Sequence, residues 1–431
     1  MDILIKVIQL FLCFTLLVGI HELGHFLMAR VFGIRVEKFY IFFDPWFSLF
    51  KFKRGGTEYG VGWLPLGGYV KIAGMIDESL DTEQMKQPVR PDEFRAKPAW
   101  QRFLVMIAGI VMNILLAVAI YCGICYTWGE KYFANEDAVY GYTFNTAAQG
   151  LGFENGDKII SIDGEPIDDV NAIAMTLLLT ESDRTVVVER DGREERFTIP
   201  FEQLVDFRRS KGYEEMLMLR TPFRIDSVAS PAALDAGLRA GDEVVALNGE
   251  RHIEFAEYVG LLADHKSSDV QLTVVRGDST AVLTVPVNAR HDYRLRTKEY
   301  TFWQSIPAGI RRTGSVIANY WEQLKLIVQP KTQMYEELGG FIAIGSIFPS
   351  AWNWQDFWSK CAFISIILAI MNILPIPGLD GGHAIFTLWE MITGRKPSDR
   401  FLEAAQYVGL AIILVLLVYA NGNDIYRFFI K

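Results

Sequence analysis

The sequence contains 431 residues, which is longer than one ordinary domain, and 51% of them are hydrophobic. This length and composition exclude a single compact soluble domain and predict at least two folding units with long apolar segments. The formal net charge of −9 argues against a nucleic-acid partner, because phosphate binding requires concentrated lysine and arginine.

Four apolar segments are long enough to cross a lipid bilayer as helices. They cover about residues 3–29, 103–128, 357–374 and 404–420. A secretory signal is the alternative for the first segment, but only Lys6 supplies positive charge there and no small-residue cleavage site follows. The sequence therefore predicts a polytopic α-helical membrane protein with four transmembrane helices.

Basic residues near the ends of these segments orient the chain in the membrane. The region between the first two segments carries Arg30, Arg35 and Lys97, and the link between the last two carries Arg395 and Lys396. Both regions are predicted to lie in the cytoplasm, because positive charge is retained on that side. Both termini and the long central region then lie across the membrane, in a periplasm or its equivalent.

The first apolar segment contains the sequence HELGH at residues 21–25. Histidines four apart on a helix project from one face, so His21 and His25 can bind one zinc ion with Glu22 beside it as a general base. In a soluble helix, so short a pattern has a surface or core role as readily as a catalytic one. Inside a bilayer a charged side chain costs about 2.5–3.5 kcal/mol on insertion scales, which argues against a chance placement of Glu22.

The central region contains an internal repeat with an offset of 85 residues. The segment GFENGDKIISIDGE at 152–165 aligns with GLRAGDEVVALNGE at 237–250. In both copies a Gly-Asp pair precedes alternating aliphatic residues and an Asp-Gly or Asn-Gly turn, which is typical of a strand followed by a hairpin. Each copy is therefore predicted to form a small β-rich domain.

The second copy resembles PDZ domains of the bacterial type, because Ser-Pro-Ala-Ala and then Ala-Gly-Leu-x-x-Gly-Asp occur between Ser230 and Asp242. The first copy keeps the Gly-Asp pair but has Thr-Ala-Ala at 146–148 in place of the proline motif. The resemblance implies two PDZ-like domains that bind extended peptide ends by adding a strand to a sheet edge. A spacer or steric filter that binds no peptide is the alternative.

After the repeat, apolar residues recur at nearly helical spacing from Trp303 to Val328, with Arg311, Arg312 and Lys325 at other positions. This spacing predicts an amphipathic helix. The helix either lies on the membrane surface, anchored by tryptophans, or packs against the second PDZ-like domain.

A catalytic zinc commonly takes three protein ligands and a water, so a third ligand is expected beside the two histidines. Asp380 is the candidate, because it lies at the downstream end of the third apolar segment, as HELGH lies in the downstream half of the first. These two segments cross the membrane in the same direction, which places both motifs near the cytoplasmic face. The sequence thus predicts one Zn²⁺ per chain, bound by His21, His25 and Asp380.

Together, HELGH and the segment NILPIPGLDGGH at 372–383 closely resemble the paired motifs of the site-2 protease family. The resemblance covers essentially the whole chain and implies an intramembrane zinc metalloprotease with the same three ligands and with Glu22 as the base. It also implies that Asn372 holds the substrate backbone near the metal. Termination of a helix before Pro375 is the alternative role of this asparagine.

The segment PLGGYVKI at 65–72 resembles another family feature, a β-hairpin that dips toward the membrane. By resemblance, Gly67, Gly68, Tyr69 and Val70 bind the unwound substrate as an added strand. A helix hides its peptide groups in its own hydrogen bonds, so a membrane protease must offer replacement partners before it can cleave. An ordinary cytoplasmic hairpin with a Gly-Gly turn is the alternative.

Two positions depart from the family pattern. Family members commonly have Gly-Pro ahead of an asparagine in the second span, whereas this chain has Gly109-Ile110 ahead of Asn113. Likewise Gly339-Gly340 stands where the family tends to have Gly-Pro. Because proline would kink or end a helix at these places, the departures concern substrate gating and leave the proposed ligands intact.

These elements define the predicted fold class, a four-helix membrane protein with two β-rich PDZ-like domains and a membrane-associated β-hairpin. The predicted boundaries are 1–30 for the first transmembrane helix, 31–100 for the cytoplasmic-side loop with a membrane-reentrant hairpin, and 101–128 for the second transmembrane helix. The PDZ-like domains cover 129–205 and 221–290, the amphipathic helix region covers 300–345, and the last two transmembrane helices cover 355–383 and 403–420.

The predicted function is hydrolysis of peptide bonds in the transmembrane segments of truncated single-span proteins. By resemblance, the substrate is an anti-sigma factor in regulated intramembrane proteolysis of the envelope stress response, and the location is a bacterial inner membrane. The predicted partners are single-span substrates, the lipid bilayer and peptide ends at the PDZ-like domains, with no nucleic acid. A non-proteolytic, membrane-anchored peptide-binding protein is the alternative, and the intact Glu22 argues against it.

Overall fold

The computed structural model forms two compact units, one of Met1–Glu130 with Glu299–Lys431 and one of Lys131–Lys298. The structure describes all residues except 1, 65–66, 76–86, 133–134, 136–137, 139, 221, 226–227, 229, 253–257, 259–260, 262–268, 278, 287–295, 333 and 428–431. Parts of the predicted cytoplasmic-side loop and of the second predicted PDZ-like domain, together with Pro65 and Leu66, therefore lie outside the described residues.

The described helices and strands are named here in chain order. The helices are α1 (Asp2–Val31), α2 (Ala99–Trp128), α3 (Thr146–Gln149), α4 (Ile173–Leu178), α5 (Phe201–Arg209), α6 (Pro231–Asp235), α7 (Phe302–Val328), α8 (Phe341–Ser346), α9 (Trp354–Ile373), α10 (Asp380–Thr393) and α11 (Asp399–Ile425). The strands are β1 (Val36–Ile41), β2 (Phe43–Arg54), β3 (Thr57–Leu64), β4 (Tyr69–Ile72), β5 (Glu130–Tyr132), β6 (Tyr142–Phe144), β7 (Lys158–Ile162), β8 (Glu165–Pro166), β9 (Arg184–Arg190), β10 (Arg193–Ile199), β11 (Leu217–Leu219), β12 (Phe223–Arg224), β13 (Glu243–Leu247), β14 (Glu250–Arg251), β15 (Asp269–Arg276), β16 (Ser279–Pro286) and β17 (Arg296–Lys298).

Four of the described helices are long and apolar enough to cross a membrane, as the sequence predicts. They are Ile3–Val31 in α1, Ala99–Trp128 in α2, Trp354–Ile373 in α9 and Arg400–Ile425 in α11. The outer helix α11 has only 11% of its apolar window buried inside the protein, so most of its side chains are free to contact lipid.

The third of these helices is shorter than predicted. Helix α9 ends at Ile373, and Asp380 is the first residue of a separate helix, α10. The physical reason is the pair Pro375 and Pro377, because proline lacks a backbone N–H and disfavours helical geometry in the residue before it. The predicted span 355–383 is therefore divided into a helix, a short connection and the start of a second helix.

The predicted amphipathic helix forms as α7 and packs against the membrane helices of its own unit. A Cβ on Gly309 would lie 2.5 Å from the backbone nitrogen of Cys122 in α2, so the two helices approach closely there. The guanidinium of Arg312 lies 4.9 Å from the ring centre of Tyr121, also in α2. Helix α7 thus has a packing partner that the spacing of its apolar residues did not identify.

The first unit also contains a four-stranded sheet in the order β2-β3-β1-β4. Strand β1 is parallel to β3 and antiparallel to β4, with Phe39 opposite Val70 and Tyr40 opposite Tyr69. Because β1 lies between β3 and β4, these two strands do not pair with each other, so they do not form the hairpin predicted around Gly67 and Gly68. Instead β2 and β3 form a hairpin, and β4 lies at the edge of the sheet opposite β2.

The second unit contains two β-rich domains, each with its own core. The first has the sheet β10-β9-β7-β8 and the pair β11-β6, and the second has the sheet β12-β13-β15-β16 with β14 beside β13. The first domain continues beyond the predicted end at residue 205, because β11 pairs with β6 and Phe207 and Met216 belong to its core.

The sequence repeat has a counterpart in three dimensions. In the first domain Asp157 accepts two hydrogen bonds of 2.7 Å from the guanidinium of Arg190. In the second, Asp242 accepts bonds of 2.5 Å and 2.6 Å from Arg276. Both aspartates are fully buried, so each Gly-Asp motif supplies a carboxylate that is neutralised within its own domain.

Candidate metal centre and substrate cavity

The two histidines of HELGH lie on one face of α1, as their spacing requires. Their Nε2 atoms are 3.2 Å apart, and the two rings meet edge to face with centres separated by 4.8 Å. His25 is buried and His21 is partly buried. Both imidazoles therefore present the same ring nitrogen to a common point inside the protein.

Asp380 reaches the same point from the start of α10. Its Oδ2 atom lies 3.0 Å from Nε2 of His21 and 3.2 Å from Nε2 of His25. Further along α10, Glu390 accepts a hydrogen bond of 2.5 Å from Arg102 at the start of α2. This partly buried ion pair fixes α10 against α2. Asp380 at the start of α10 can therefore meet His21, although the two residues are 359 positions apart in the sequence.

Helix α2 forms the wall behind the histidines. The backbone carbonyl of Val105 lies 2.8 Å from Nδ1 of His25 and can accept a hydrogen bond from it. A proton on Nδ1 leaves the lone pair of the neutral ring on Nε2, where a metal would bind. One turn later, a Cβ on Gly109 would lie against His25 Nε2 and 2.7 Å from His21 Cε1, so only glycine leaves room for both rings.

The three converging atoms fit a zinc ion. Zinc bonds of about 2.0–2.1 Å at tetrahedral angles separate neighbouring ligand atoms by about 3.3 Å, close to the observed 3.0 Å to 3.2 Å. The Oδ2 atom of Asp380 is buried and has no hydrogen-bond partner among the described residues, although both Nε2 atoms are near it. With the imidazole protons on Nδ1, three acceptor atoms face one another, and a cation between them removes their mutual repulsion.

Within the part of the chain that the structure describes, His21, His25 and Asp380 form a group whose ligand atoms all lie within 4.8 Å of one another. Two imidazoles and one carboxylate are a donor set typical of a catalytic zinc site, because they leave a fourth position open. The structure thus brings together the three residues that the sequence predicts as ligands.

A cavity of about 700 Å³ opens beside these three residues. Every other residue that the sequence predicts for the site lies on its wall. These residues are Glu22, Asn372, Gly67, Gly68, Tyr69 and Val70.

Glu22 is half-buried and lies next to His21 on α1. A Cβ on Gly68 would come within 3.6 Å of the Glu22 Cγ and 2.7 Å of the Tyr40 carbonyl oxygen. The absence of a side chain at position 68 therefore lets the start of β4 approach Glu22. The base predicted from HELGH and the edge strand of the sheet border the same space.

Tyr69 in β4 is held in place by its neighbours. Its hydroxyl donates a hydrogen bond of 2.8 Å to Asp44, and its ring stacks on Tyr40 and Phe43 at 5.3 Å and 5.9 Å between centres. Burial and the nearby Asp44 carboxylate raise the pKa of the Tyr69 hydroxyl well above its usual range, so the group stays protonated. The edge strand is therefore a rigid wall of the cavity.

Sequence reasoning missed the contribution of α2. Val105, Gly109 and Asn113 lie four residues apart and form one stripe of the helix toward the histidines. In the sequence, Gly109 and Asn113 are noticeable only because the segment that contains them departs from the family pattern. The contribution of Val105 cannot be recognised there, because it comes from a backbone carbonyl. Gln406 of α11 also lines the cavity and was not predicted.

Comparison with known proteins identifies the class that this fold and site define. Residues 9–416 match the model of Peptidase family M50. The chain therefore belongs to this family, the site-2 proteases, and is a membrane-embedded zinc metalloprotease. The predictions of the family and of the enzyme class are confirmed.

Individual relatives agree with the family. The chain is 29% identical over 441 residues to the Regulator of sigma E protease of Haemophilus influenzae, with 96% of this chain and 97% of the relative covered. It is 27% identical to a zinc metalloprotease of Neisseria meningitidis, with 96% and 97% covered, and 28% identical to one of Vibrio cholerae, with 99% of each covered. The similarity thus extends through the β-rich unit as well as the membrane helices.

Proposed function

We propose that this protein hydrolyses peptide bonds inside the transmembrane segments of single-span membrane proteins, using one zinc ion per chain. The observation that carries the proposal is the convergence of His21 Nε2, His25 Nε2 and Asp380 Oδ2 at 3.0–3.2 Å beside a cavity. When bound, zinc supplies Lewis-acid chemistry that polarises a carbonyl and lowers the pKa of a water from 15.7 to about 7.

Glu22 is the proposed general base. Its carboxylate lines the cavity one residue from His21, where it can take a proton from the attacking water. The same carboxyl group then returns the proton to the amine of the leaving peptide, so no covalent intermediate with the protein is required.

The edge strand β4 is the proposed binding surface for the substrate backbone. A transmembrane helix must unwind before cleavage, and its freed peptide groups need new partners. The outer edge of β4 can supply them by strand addition, since β1 occupies the other edge. Asn372, which also lies on the cavity wall, donates its side-chain amide to a substrate carbonyl in this proposal.

The proposed location is a bacterial inner membrane, with the zinc site near the cytoplasmic face and the two β-rich domains in the periplasm as PDZ-like domains. Basic residues on both cytoplasmic connections support this orientation. The name of the Haemophilus relative supports a role in sigma-factor control, and an anti-sigma factor already shortened on its outer side is the proposed substrate.

The central experiment uses the purified full-length chain and a single-span test substrate in detergent. Glu22→Gln is expected to retain its zinc while losing cleavage, because the amide cannot accept the proton from water. Glu322→Gln on the exposed face of α7 is the matched control and should leave both properties unchanged. Cleavage by the Glu22→Gln protein at the wild-type rate would overturn the proposed mechanism.

The strand-addition proposal is tested by cross-linking. In a Glu22→Gln background, Tyr69→Cys is combined with substrates that carry one cysteine at successive positions. Strand pairing predicts disulfide formation at every second position, because neighbouring side chains of a strand point to opposite faces. A repeat of three to four positions would show that a helical substrate contacts β4 and would contradict the proposal.

The PDZ-like domains are tested by the outer length of the substrate. If they act as a size filter, cleavage falls as the periplasmic part of a single-span substrate is lengthened, whatever its terminal sequence. If they bind peptide ends, cleavage depends on the terminal residues at constant length. Equal cleavage of all these substrates would exclude both roles.

A further inference from the structure

Asn113 on α2 is a buried polar residue that the mechanism above does not use. Its side chain is fully buried, lines the cavity, and has its Nδ2 atom 3.4 Å from Nδ1 of His21. Its Oδ1 atom has no hydrogen-bond partner within the described part of the chain. A buried amide with an unsatisfied acceptor beside a candidate ligand requires an explanation.

The two ends of the amide exchange places when the group rotates by half a turn. In that orientation Oδ1 faces His21 Nδ1 and can accept its proton. This arrangement suits a metal site, because a neutral imidazole that binds through Nε2 carries its proton on Nδ1. With Nδ2 toward the ring, the proton of His21 would instead be on Nε2, where it would block the metal position.

We propose that Asn113 is a positioning residue of the zinc centre, which holds His21 through a hydrogen bond from His21 Nδ1–H to Asn113 Oδ1. His25 provides the precedent within the same site, since its Nδ1 lies 2.8 Å from the Val105 carbonyl, two turns earlier on α2. Helix α2 thus orients both imidazoles from one stripe. The inference rests on the proposed zinc site and adds a residue that orients one of its ligands.

The test measures the zinc dissociation constant of the full-length, detergent-solubilised protein by competition with a chromophoric chelator. Asn113→Ala removes the acceptor and is expected to weaken zinc binding by about 10- to 100-fold, the usual cost of losing such a partner. Asn113→Asp retains an oxygen acceptor and has no amide donor, so it should bind zinc at least as tightly as the wild type. Thermal unfolding of the zinc-free forms checks folding.

Ser365→Ala is the matched control. Its hydroxyl donates a buried hydrogen bond of 2.8 Å to the backbone oxygen of Asn113, so the change removes a bond at the same residue without touching the side-chain amide. Zinc affinity should be unchanged.

The isosteric Asn113→Asp variant decides the question even if Asn113→Ala fails to fold. Zinc binding by the Asp variant that is at least tenfold weaker than wild type would overturn the proposal, because the donor end of the amide would then be the functional one. Wild-type affinity in Asn113→Ala would overturn it too. Failure of the wild-type protein to bind zinc would instead refute the proposed metal site.

Discussion

Aspartates in the two units of this protein have opposite surroundings. Asp157 and Asp242, in the β-rich unit, each receive two hydrogen bonds from an arginine of the same domain. Asp380, in the helical unit, faces two imidazole nitrogens, and its Oδ2 has no hydrogen-bond partner within the described residues. Asp157 and Asp242 directly precede β7 and β13, whereas Asp380 is the first residue of α10.

The difference concerns where the neutralising charge comes from. A buried carboxylate is stable only when a cation compensates for its lost hydration. In the β-rich domains that cation is a guanidinium encoded in the chain, so the pair is complete and serves the fold. Around Asp380 the chain supplies two histidines, which bind zinc in their neutral form, so in the proposed site the metal ion supplies the compensating charge.

The largest expected effect comes from Gly109→Ala. The new methyl group would lie against His25 Nε2 and 2.7 Å from His21 Cε1, so both rings must move and zinc binding and cleavage should be lost together. Gly123→Ala on the same helix is the matched control, because a Cβ there meets nothing within 4 Å among the described residues. Zinc content and cleavage are measured for both. A Gly109→Ala protein with normal zinc content would break the account of the site.

Removal of the arginine that neutralises Asp157 should lower the stability of the protein without changing its zinc content. Arg190→Met leaves Asp157 buried without its cation, which is expected to lower the unfolding free energy by about 3–5 kcal/mol. Arg193→Met, on the exposed neighbouring strand, should change stability little. Denaturant unfolding and zinc content are measured on the full chain. Loss of zinc from folded Arg190→Met protein would show that the two kinds of site are not independent.

The smallest expected effect is a dependence of stability on pH. Hydrogen bonds from Arg276 hold the pKa of Asp242 below its ordinary value of 3.8. A carboxyl whose pKa is lowered by folding stabilises the protein above its unfolded pKa, and this contribution is lost as the pH falls through the folded pKa. The unfolding temperature of the β-rich unit should therefore fall below about pH 4, and Asp242→Asn should reduce that slope. An unchanged slope in the variant would rule out this pair as a cause.

The sequence predicts the three converging residues from two signals, the spacing within one helix and the order of the apolar segments along the chain. Helical spacing places His21 and His25 on one face, and the parallel direction of two membrane spans brings Asp380 to the same depth. The predicted helix around Asp380 is wrong in one respect. Asp380 does not continue the third membrane helix but begins α10, after the break at Pro375 and Pro377.

Features that depend on distant pairing were not predictable in this way. The Gly-Gly pair at 67–68 predicts a hairpin, but β1 lies between β3 and β4, so these two strands do not pair with each other. The orienting role of α2 comes from a backbone carbonyl, a glycine and one amide, none of which has a distinctive spacing in an apolar helix. Such contacts become visible only when both helices are positioned in three dimensions.

The most direct test of the central claim compares zinc binding by the wild type, Asp380→Asn and Asp242→Asn, each as the full-length purified chain. The account predicts one zinc per chain in the wild type and in folded Asp242→Asn, and loss of the bound zinc from Asp380→Asn. Equal zinc content in Asp380→Asn and the wild type would contradict the claim that His21, His25 and Asp380 together hold the metal.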